Sequence, residues 1–134
     1  MKTIIAGSRT ITDWQILAAA INTCPWEITE VVSGGAAGVD TLAEEFATEM
    51  GLWCLVIPAE WKIHGKRAGY LRNEVMLTHA RHLLAVWDGA SRGTRHMIQR
   101  AKQQGAEVFL YEVRGIEVFT EHYFGHEPLL PLRC

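Results

Sequence analysis

One stretch of this sequence decides the fold: Ser33-Gly34-Gly35-Ala36-Ala37-Gly38-Val39-Asp40. Residues 28–33, which lead into it, predict a strand. After it, apolar side chains recur at helical spacing through residues 39–50, and Gly51 follows as a terminator. Glycines let backbone N–H groups come close to a ligand, and a helix N-terminus attracts anions. The stretch therefore predicts a strand–turn–helix unit suited to binding a phosphate group.

The alternation of strand and helix continues in both directions from this unit. Further strands are predicted at residues 3–6, 52–57, 82–87 and 107–113, and further helices at about 13–24, 68–80 and 93–104, with a polar loop at 59–67. This order predicts an α/β fold: a single Rossmann-like domain with a mainly parallel five-stranded sheet and helices on both faces. The domain should span residues 1–113. The apolar extension at 114–134 should pack on that domain or on a partner subunit, which favours a homo-oligomer.

Composition narrows the function classes. A net charge of −2 argues against a protein that coats long nucleic acids through bulk charge. The three cysteines form no CxxC pair, and no stretch approaches the roughly 20 apolar residues of a membrane span. The apolar run at the N-terminus is too short for a signal peptide. We therefore expect a cytoplasmic protein with no membrane contact, no metal site and no cofactor.

Three polar turns fall at the predicted carboxyl ends of strands, where open α/β sheets bind ligands. They are Gly7-Ser8-Arg9, Ser33-Gly34-Gly35 and Asp88-Gly89-Ala90-Ser91. Turns of this kind can be rich in glycine for geometry alone, but three of them beside an arginine favour a binding site. The predicted ligand-binding residues are Gly7, Ser8, Arg9, Ser33, Gly34, Gly35, Gly38, Asp40, Trp61, Lys66, Arg72, Asn73, Asp88, Gly89, Ser91, Gly93 and Thr94.

Lys66, Arg67 and Arg72 lie at the beginning of a predicted helix, where the helix dipole disfavours cations. A bound anion would offset that cost, and Asn73 could reach the same rim as Arg72. Trp61, in the polar loop, could close over a base. Solvated surface charges remain the alternative for Lys66 and Arg67.

Catalysis is less clearly indicated than binding. The sequence contains neither a G-x-x-x-x-G-K-[ST] phosphate loop nor a G-x-G-x-x-G fingerprint. The candidate acids are Asp40, Glu44 and Asp88, although acids in the first turn of a helix more often stabilise the helix itself. The catalytic residues therefore stay open.

Taken together, several blocks resemble the SLOG superfamily, and within it the YspA-like group found in phage and bacterial genomes. The blocks are Gly7-Ser8-Arg9, residues 34–44, Pro58-Ala59-Glu60-Trp61, residues 65–69, residues 72–76 and residues 91–98. The resemblance covers residues 2–112 and implies a Rossmann-like fold that binds nucleotides or nucleotide-derived ligands.

Two related families frame the alternatives. The Rossmann core of the DNA-processing family DprA is similar at residues 33–40, 72–73 and 91–94, which implies single-stranded DNA binding. The Lonely Guy phosphoribohydrolases are similar at Arg72 and Gly93-Thr94, but their catalytic glutamate is missing from the Arg95-His96-Met97 segment here. The sequence thus favours a nucleotide-binding module. A hydrolase of nucleoside monophosphates and a DNA-binding accessory protein are the alternatives.

Overall fold

Strands and helices alternate along the chain in the computed structural model, which describes residues 1–126. The first half comprises β1 (Lys2–Gly7), α1 (Trp14–Thr23), β2 (Glu30–Ser33), α2 (Val39–Met50) and β3 (Trp53–Val56). The second half comprises α3 (Trp61–His64), a 3₁₀ turn (Gly65–Arg67), α4 (Ala68–His79), β4 (His82–Trp87), α5 (Arg92–Gln103), β5 (Glu107–Arg114) and β6 (Glu117–Tyr123). The end of the predicted apolar extension, from residue 127 to Cys134, lies outside the described residues.

Local signals explain where the helices begin and end. The Asp13 side chain accepts a hydrogen bond from Gln15 N (2.9 Å) and caps α1. Gly51 takes the left-handed conformation (φ 65°) that ends α2, as the sequence predicts. The predicted polar loop at 59–67 instead contains α3 and the 3₁₀ turn, which fold the chain back toward α4.

All strands belong to one mixed sheet with the order β3-β2-β1-β4-β5-β6. The first five strands are parallel, and β6 pairs antiparallel with β5. The predicted α/β class and mainly parallel sheet are therefore confirmed, but the predicted count of five strands is wrong. The sixth strand arises because Gly115 (φ 62°) and Ile116 form a tight turn, after which residues 117–123 return along β5.

Helices cover both faces of the sheet, and each face has its own core. Adjacent residues of β1 point to opposite sides because side chains alternate along a strand. Ile5 packs in one core with Leu17 of α1 and Phe46 of α2. Ile4 packs in the other core with Met76 of α4 and Met97 of α5. The sheet thus lies between two layers of helices, which leave its carboxyl edge free for a site.

The strand order reverses between β1 and β4. The chain winds outward from β1 through β2 to β3, crosses back to β4 on the other side of β1, and continues to β5. This is the order typical of doubly wound sheets, in which ligands bind at the carboxyl end of the reversal point. No helix in residues 1–126 combines the length and the apolar character needed to cross a membrane.

Candidate functional site

A cavity of about 250 Å³ lies at the carboxyl edge of the sheet, where the strand order reverses. Its walls come from the end of β1, the loop before α2, the segment from α3 to α4, and the beginning of α5. The residues that line it are Ala6, Gly7, Arg9, Ala36, Asp40, Trp61, Lys66, Gly69, Tyr70, Arg72, Asn73, Met76, Ser91, Gly93, Thr94 and Met97.

The cavity brings together most of the residues predicted to bind a ligand. Those that line it are Gly7, Arg9, Asp40, Trp61, Lys66, Arg72, Asn73, Ser91, Gly93 and Thr94. The other predicted residues are outside the lining: Ser8, Ser33, Gly34, Gly35, Gly38, Asp88 and Gly89. Several members of this second group build the framework that holds the first.

Gly38 shows how tightly two of the turns are joined. It has a φ of 75°, and a Cβ there would lie 2.4 Å from Ser8 O and 2.5 Å from Arg9 O. The next residue, Val39, donates its N–H to Ser8 O (3.3 Å). Only glycine fits this approach, because any side chain would collide with backbone. The turns after β1 and β2 therefore form one packed unit.

Asp88 shapes the loop that leads into α5. Its Oδ1 accepts hydrogen bonds from Ala90 N (2.8 Å) and Ser91 N (2.9 Å), and its Oδ2 accepts one from the Thr10 hydroxyl (3.3 Å). Burial alone would raise the pKa of Asp88, but its hydrogen bonds with Ser91, Ala90, Ser8 and Thr10 together hold the pKa below its ordinary value. The carboxylate is thus ionised and engaged in the loop.

Arg72 is fixed by two hydrogen bonds at the cavity wall. Its Nη1 donates to Gly34 O (2.5 Å), and its Nε donates to Asn73 Oδ1 (3.1 Å). The buried Asn73 in turn donates through Nδ2 to Gly93 O (3.2 Å) and contacts His96 Nδ1 at 3.1 Å. A guanidinium carries five N–H donors, so three of them have no hydrogen-bond partner within residues 1–126.

Asp40 is the acidic residue in the cavity wall, and it is only 5% exposed. Its Oδ2 accepts a hydrogen bond from Ala36 N (3.1 Å). Burial raises the pKa of Asp40 to about 6, although the Ala36 hydrogen bond and the charge of Arg72 act in the opposite direction. Asp40 therefore changes its charge near neutral pH.

Glycine at position 34 lets Arg72 and Asp40 approach each other. A Cβ on Gly34 would lie 2.3 Å from Arg72 Nη1 and 2.9 Å from Asp40 Oδ2. The two side chains are close neighbours, yet no ion pair within 4.0 Å joins them in the described part of the chain. Arg72 is bonded to backbone and amide oxygens instead.

Glu44, another acid predicted as a catalytic candidate, lies away from the cavity lining. Its carboxylate accepts a hydrogen bond from the Ser33 hydroxyl (2.9 Å), and that hydroxyl also contacts Asp40 O at 3.3 Å. Glu44 thus connects α2 to the end of β2.

An exposed aromatic rim borders the mouth of the cavity. Trp61 is 48% exposed, and the Arg9 guanidinium lies 5.8 Å from the centre of its ring. The Trp61 ring also approaches Gly69, where an added Cβ would lie 3.4 Å away. Tyr70 stacks on His96 with ring centres 4.3 Å apart.

Sequence reasoning missed several lining residues: Ala6, Ala36, Gly69, Tyr70, Met76 and Met97. Met76 could have been found, because it lies four residues after Arg72 and such pairs share a helix face. Met97 belongs to the Arg95-His96-Met97 segment that was compared with the Lonely Guy family, so the comparison of motifs could have placed it. We find no local signal for Tyr70.

The N-terminus of α5 completes the cavity wall. No side chain of the described residues 1–126 caps this helix, and the first hydrogen bond of its opening turn joins Arg95 N to Ser91 O (3.1 Å). The Ser91 and Thr94 hydroxyls lie 3.3 Å apart. An uncapped helix start offers unpaired N–H groups to an anion. In residues 1–126 no three His, Cys, Asp or Glu side chains are grouped to hold a metal ion.

The sheet order and this cavity define an α/β protein with a pocket at the reversal point of the sheet, and Arg9, Lys66 and Arg72 are among its lining residues. The family described as "YspA, cpYpsA-related SLOG family" matches residues 1–64. The Gene 61 protein of Mycobacterium phage D29 is 38% identical over 117 residues, covering 80% of this chain and 93% of that protein. The chain belongs to the YspA-like group of the SLOG superfamily, which confirms the resemblance drawn from the motifs.

Proposed function

We propose that this protein binds a nucleotide, or a phosphorylated ligand derived from one, at the carboxyl edge of its sheet. The observation that carries the proposal is Arg72, which is held by Gly34 O and Asn73 while three guanidinium donors have no partner among residues 1–126. Arginine in this state is suited to a phosphate, whose oxygens accept its forked N–H groups. Membership of the SLOG superfamily suggests the same class of ligand.

The lining residues suggest a division of roles. Arg72 and the first N–H groups of α5 would contact phosphate oxygens, with Arg9 and Lys66 adding positive charge at the mouth. Met76 and Met97 would supply an apolar floor, and Trp61 would cover the base. A cavity of about 250 Å³ lies just below the range of about 300–1,000 Å³ typical of small-molecule sites. We therefore expect a ligand of mononucleotide size.

The first experiment is a thermal-shift screen with nucleotides, cyclic nucleotides and ADP-ribose derivatives. Calorimetric titration of the best ligand would then compare wild type with Arg72→Ala and with Arg67→Ala. Arg67 is a matched control because it is exposed, precedes the same helix and does not line the cavity. We expect Arg72→Ala to weaken binding by about 10- to 150-fold, the effect of losing a charged hydrogen bond worth about 1.5–3 kcal/mol.

Equal affinity for wild type and Arg72→Ala would remove Arg72 from the site. No stabilisation by any nucleotide, combined with binding of single-stranded DNA that weakens steeply with salt, would favour the DNA-binding alternative.

A second candidate function is hydrolysis of the N-glycosidic bond of a nucleoside monophosphate. Asp40 favours it, since a buried carboxyl with a pKa raised to about 6 is suited to proton transfer near neutral pH. Met97 opposes it, because a thioether cannot replace the family glutamate in acid–base chemistry. Release of free base from a bound nucleotide, lost in Asp40→Asn, would support the hydrolase. Recovery of the ligand intact would support the binding module.

Self-association and a cytoplasmic location are further parts of the proposal. β6 forms one edge of the sheet and exposes Val118 and Phe119, and Phe124 just beyond it is 76% exposed. Such apolar side chains on an edge strand favour pairing with a second copy. Sedimentation velocity of wild type and Phe119→Ser would test it, with a dimer expected only for wild type. Cys24 and Cys54 are free thiols, which suits a reducing compartment.

A further inference from the structure

We infer that the pocket binds its anionic ligand together with one proton, which stays on the Asp40 carboxyl and forms a hydrogen bond to the ligand. This inference rests on the proposed function and assigns Asp40 a role in direct contact with the ligand. It also predicts which form of the site is competent to bind, since an ionised Asp40 would repel the phosphate that Arg72 attracts.

The first support is the distance between the two side chains. Arg72 Nη1 and Asp40 Oδ2 both lie within 3 Å of the point that a Gly34 Cβ would occupy. A phosphate that accepts hydrogen bonds from the free donors of Arg72 would therefore lie on the same side of the cavity as the Asp40 carboxyl. A negative charge close to a buried carboxyl disfavours its ionised form, so the bound anion increases the affinity of Asp40 for a proton.

The second support is the free oxygen of Asp40. Oδ2 accepts the N–H of Ala36, whereas Oδ1 accepts no hydrogen bond from residues 1–126. No polar side-chain atom in that part of the chain is both buried and without a partner, so Oδ1 keeps some accessible surface, and Asp40 lines the cavity. A carboxylate oxygen facing an anion is repulsive, but the same oxygen carrying a proton is a hydrogen-bond donor.

The charged groups around Asp40 do not remove the conflict. Arg9, after β1, and Arg72, on α4, favour the ionised form, while Glu44, on α2, favours the neutral form. Lys66, in the 3₁₀ turn, adds a further positive charge to the lining. Burial exceeds the combined effect of the cations and already raises the pKa of Asp40 to about 6 in the free protein. One more negative charge in the cavity raises the pKa further.

The test uses sulfate, because this tetrahedral dianion keeps both charges across the pH range of interest and does not titrate itself. Carbon-13 NMR of protein labelled at the aspartate carboxyl carbons would follow the titration of Asp40 in sodium sulfate and in sodium chloride at matched ionic strength. Loss of one resonance in Asp40→Asn assigns the signal. We expect the Asp40 midpoint to rise in sulfate by at least about one pH unit, a tenfold increase in proton affinity.

By linkage, sulfate affinity of the wild type should fall as pH rises through the Asp40 titration, and this dependence should be absent in Asp40→Asn. Amide shifts of Gly93 and Thr94 report whether sulfate enters the cavity. If those amides shift and the Asp40 midpoint stays constant, the inference is wrong and the anion site stands. If sulfate leaves those amides unchanged, the anion site itself fails, and the inference fails with it.

Discussion

Asp40→Asn should stabilise the free protein at alkaline pH. Asp40 is buried, and its pKa of about 6 lies about two units above the ordinary aspartate value of about 3.9. At pH 8 the folded protein must therefore hold a charge that the unfolded chain carries at lower cost. Each unit corresponds to about 1.4 kcal/mol, so the ionised carboxylate lowers the free energy of unfolding by about 3 kcal/mol. Asparagine has the same shape, and its Oδ1 can accept the N–H of Ala36.

The pH dependence distinguishes this cause from a general change in packing. Since folding raises the pKa of Asp40, the folded state binds its proton more tightly than the unfolded state does. The resulting stabilisation is fully present below about pH 4, declines as pH rises through about 6, and is absent above about pH 7. The advantage of Asp40→Asn over wild type should thus be only about 1 kcal/mol at pH 4.5 and should rise to about 3 kcal/mol at pH 8.

Urea unfolding followed by circular dichroism at both pH values measures the difference. Asp13→Asn is the matched control, because Asp13 is an exposed helix cap and asparagine caps equally well. We expect this control to change the free energy of unfolding by less than about 0.5 kcal/mol at either pH. A gain for Asp40→Asn that is equal at pH 4.5 and pH 8, or no gain at pH 8, would refute the reasoning.

Three further predictions concern the framework of the site. Gly51→Ala should lower the free energy of unfolding by about 1–2 kcal/mol, because alanine is strained in the left-handed backbone conformation. Gly38→Ala should lower it by about 1–3 kcal/mol more, because its Cβ would also collide with backbone oxygens. Urea unfolding of both variants measures the difference. Asn73→Ala should lower the free energy of unfolding by about 1–3 kcal/mol and also weaken ligand binding, because Arg72 Nε loses its hydrogen-bond acceptor. Urea unfolding measures the first effect and calorimetric titration measures the second. Truncation after Val113 should cause aggregation visible by sedimentation, because it uncovers the edge of β5.

The sequence predicted those elements whose pattern is local and strong. The helix after Gly38 and the strand at 82–87 match the structure closely, because α2 has a clear apolar face and β4 is a continuous apolar run. β6 was missed because its residues are mostly exposed and alternate too weakly to suggest a strand. Its position depends on pairing with β5, which is a tertiary property.

The residues of the candidate site were likewise predicted only in part. The sequence predicted Arg72, Asn73 and Gly93 as neighbours of a ligand, and the structure brings them together in one cavity wall. It could not separate glycines that line a cavity from glycines that allow close packing, since both need the same absence of a side chain. Tyr70 lines the cavity because of where α4 packs in the fold, which is a tertiary property that the local sequence does not indicate.

The turn after β2 works differently from the phosphate-binding loop that its sequence suggests. Gly34 directs its carbonyl oxygen to Arg72, and its missing side chain leaves the space that Arg72 Nη1 and Asp40 Oδ2 occupy. The glycine therefore admits an arginine, and the arginine presents the donors. Asn73 fixes the same arginine to Gly93 at the start of α5, so two turns of the sheet edge hold one guanidinium between them. A rigidly held cation beside a carboxyl that titrates near pH 6 gives the pocket a charge that depends on its own proton, which a loop of backbone amides alone could not provide.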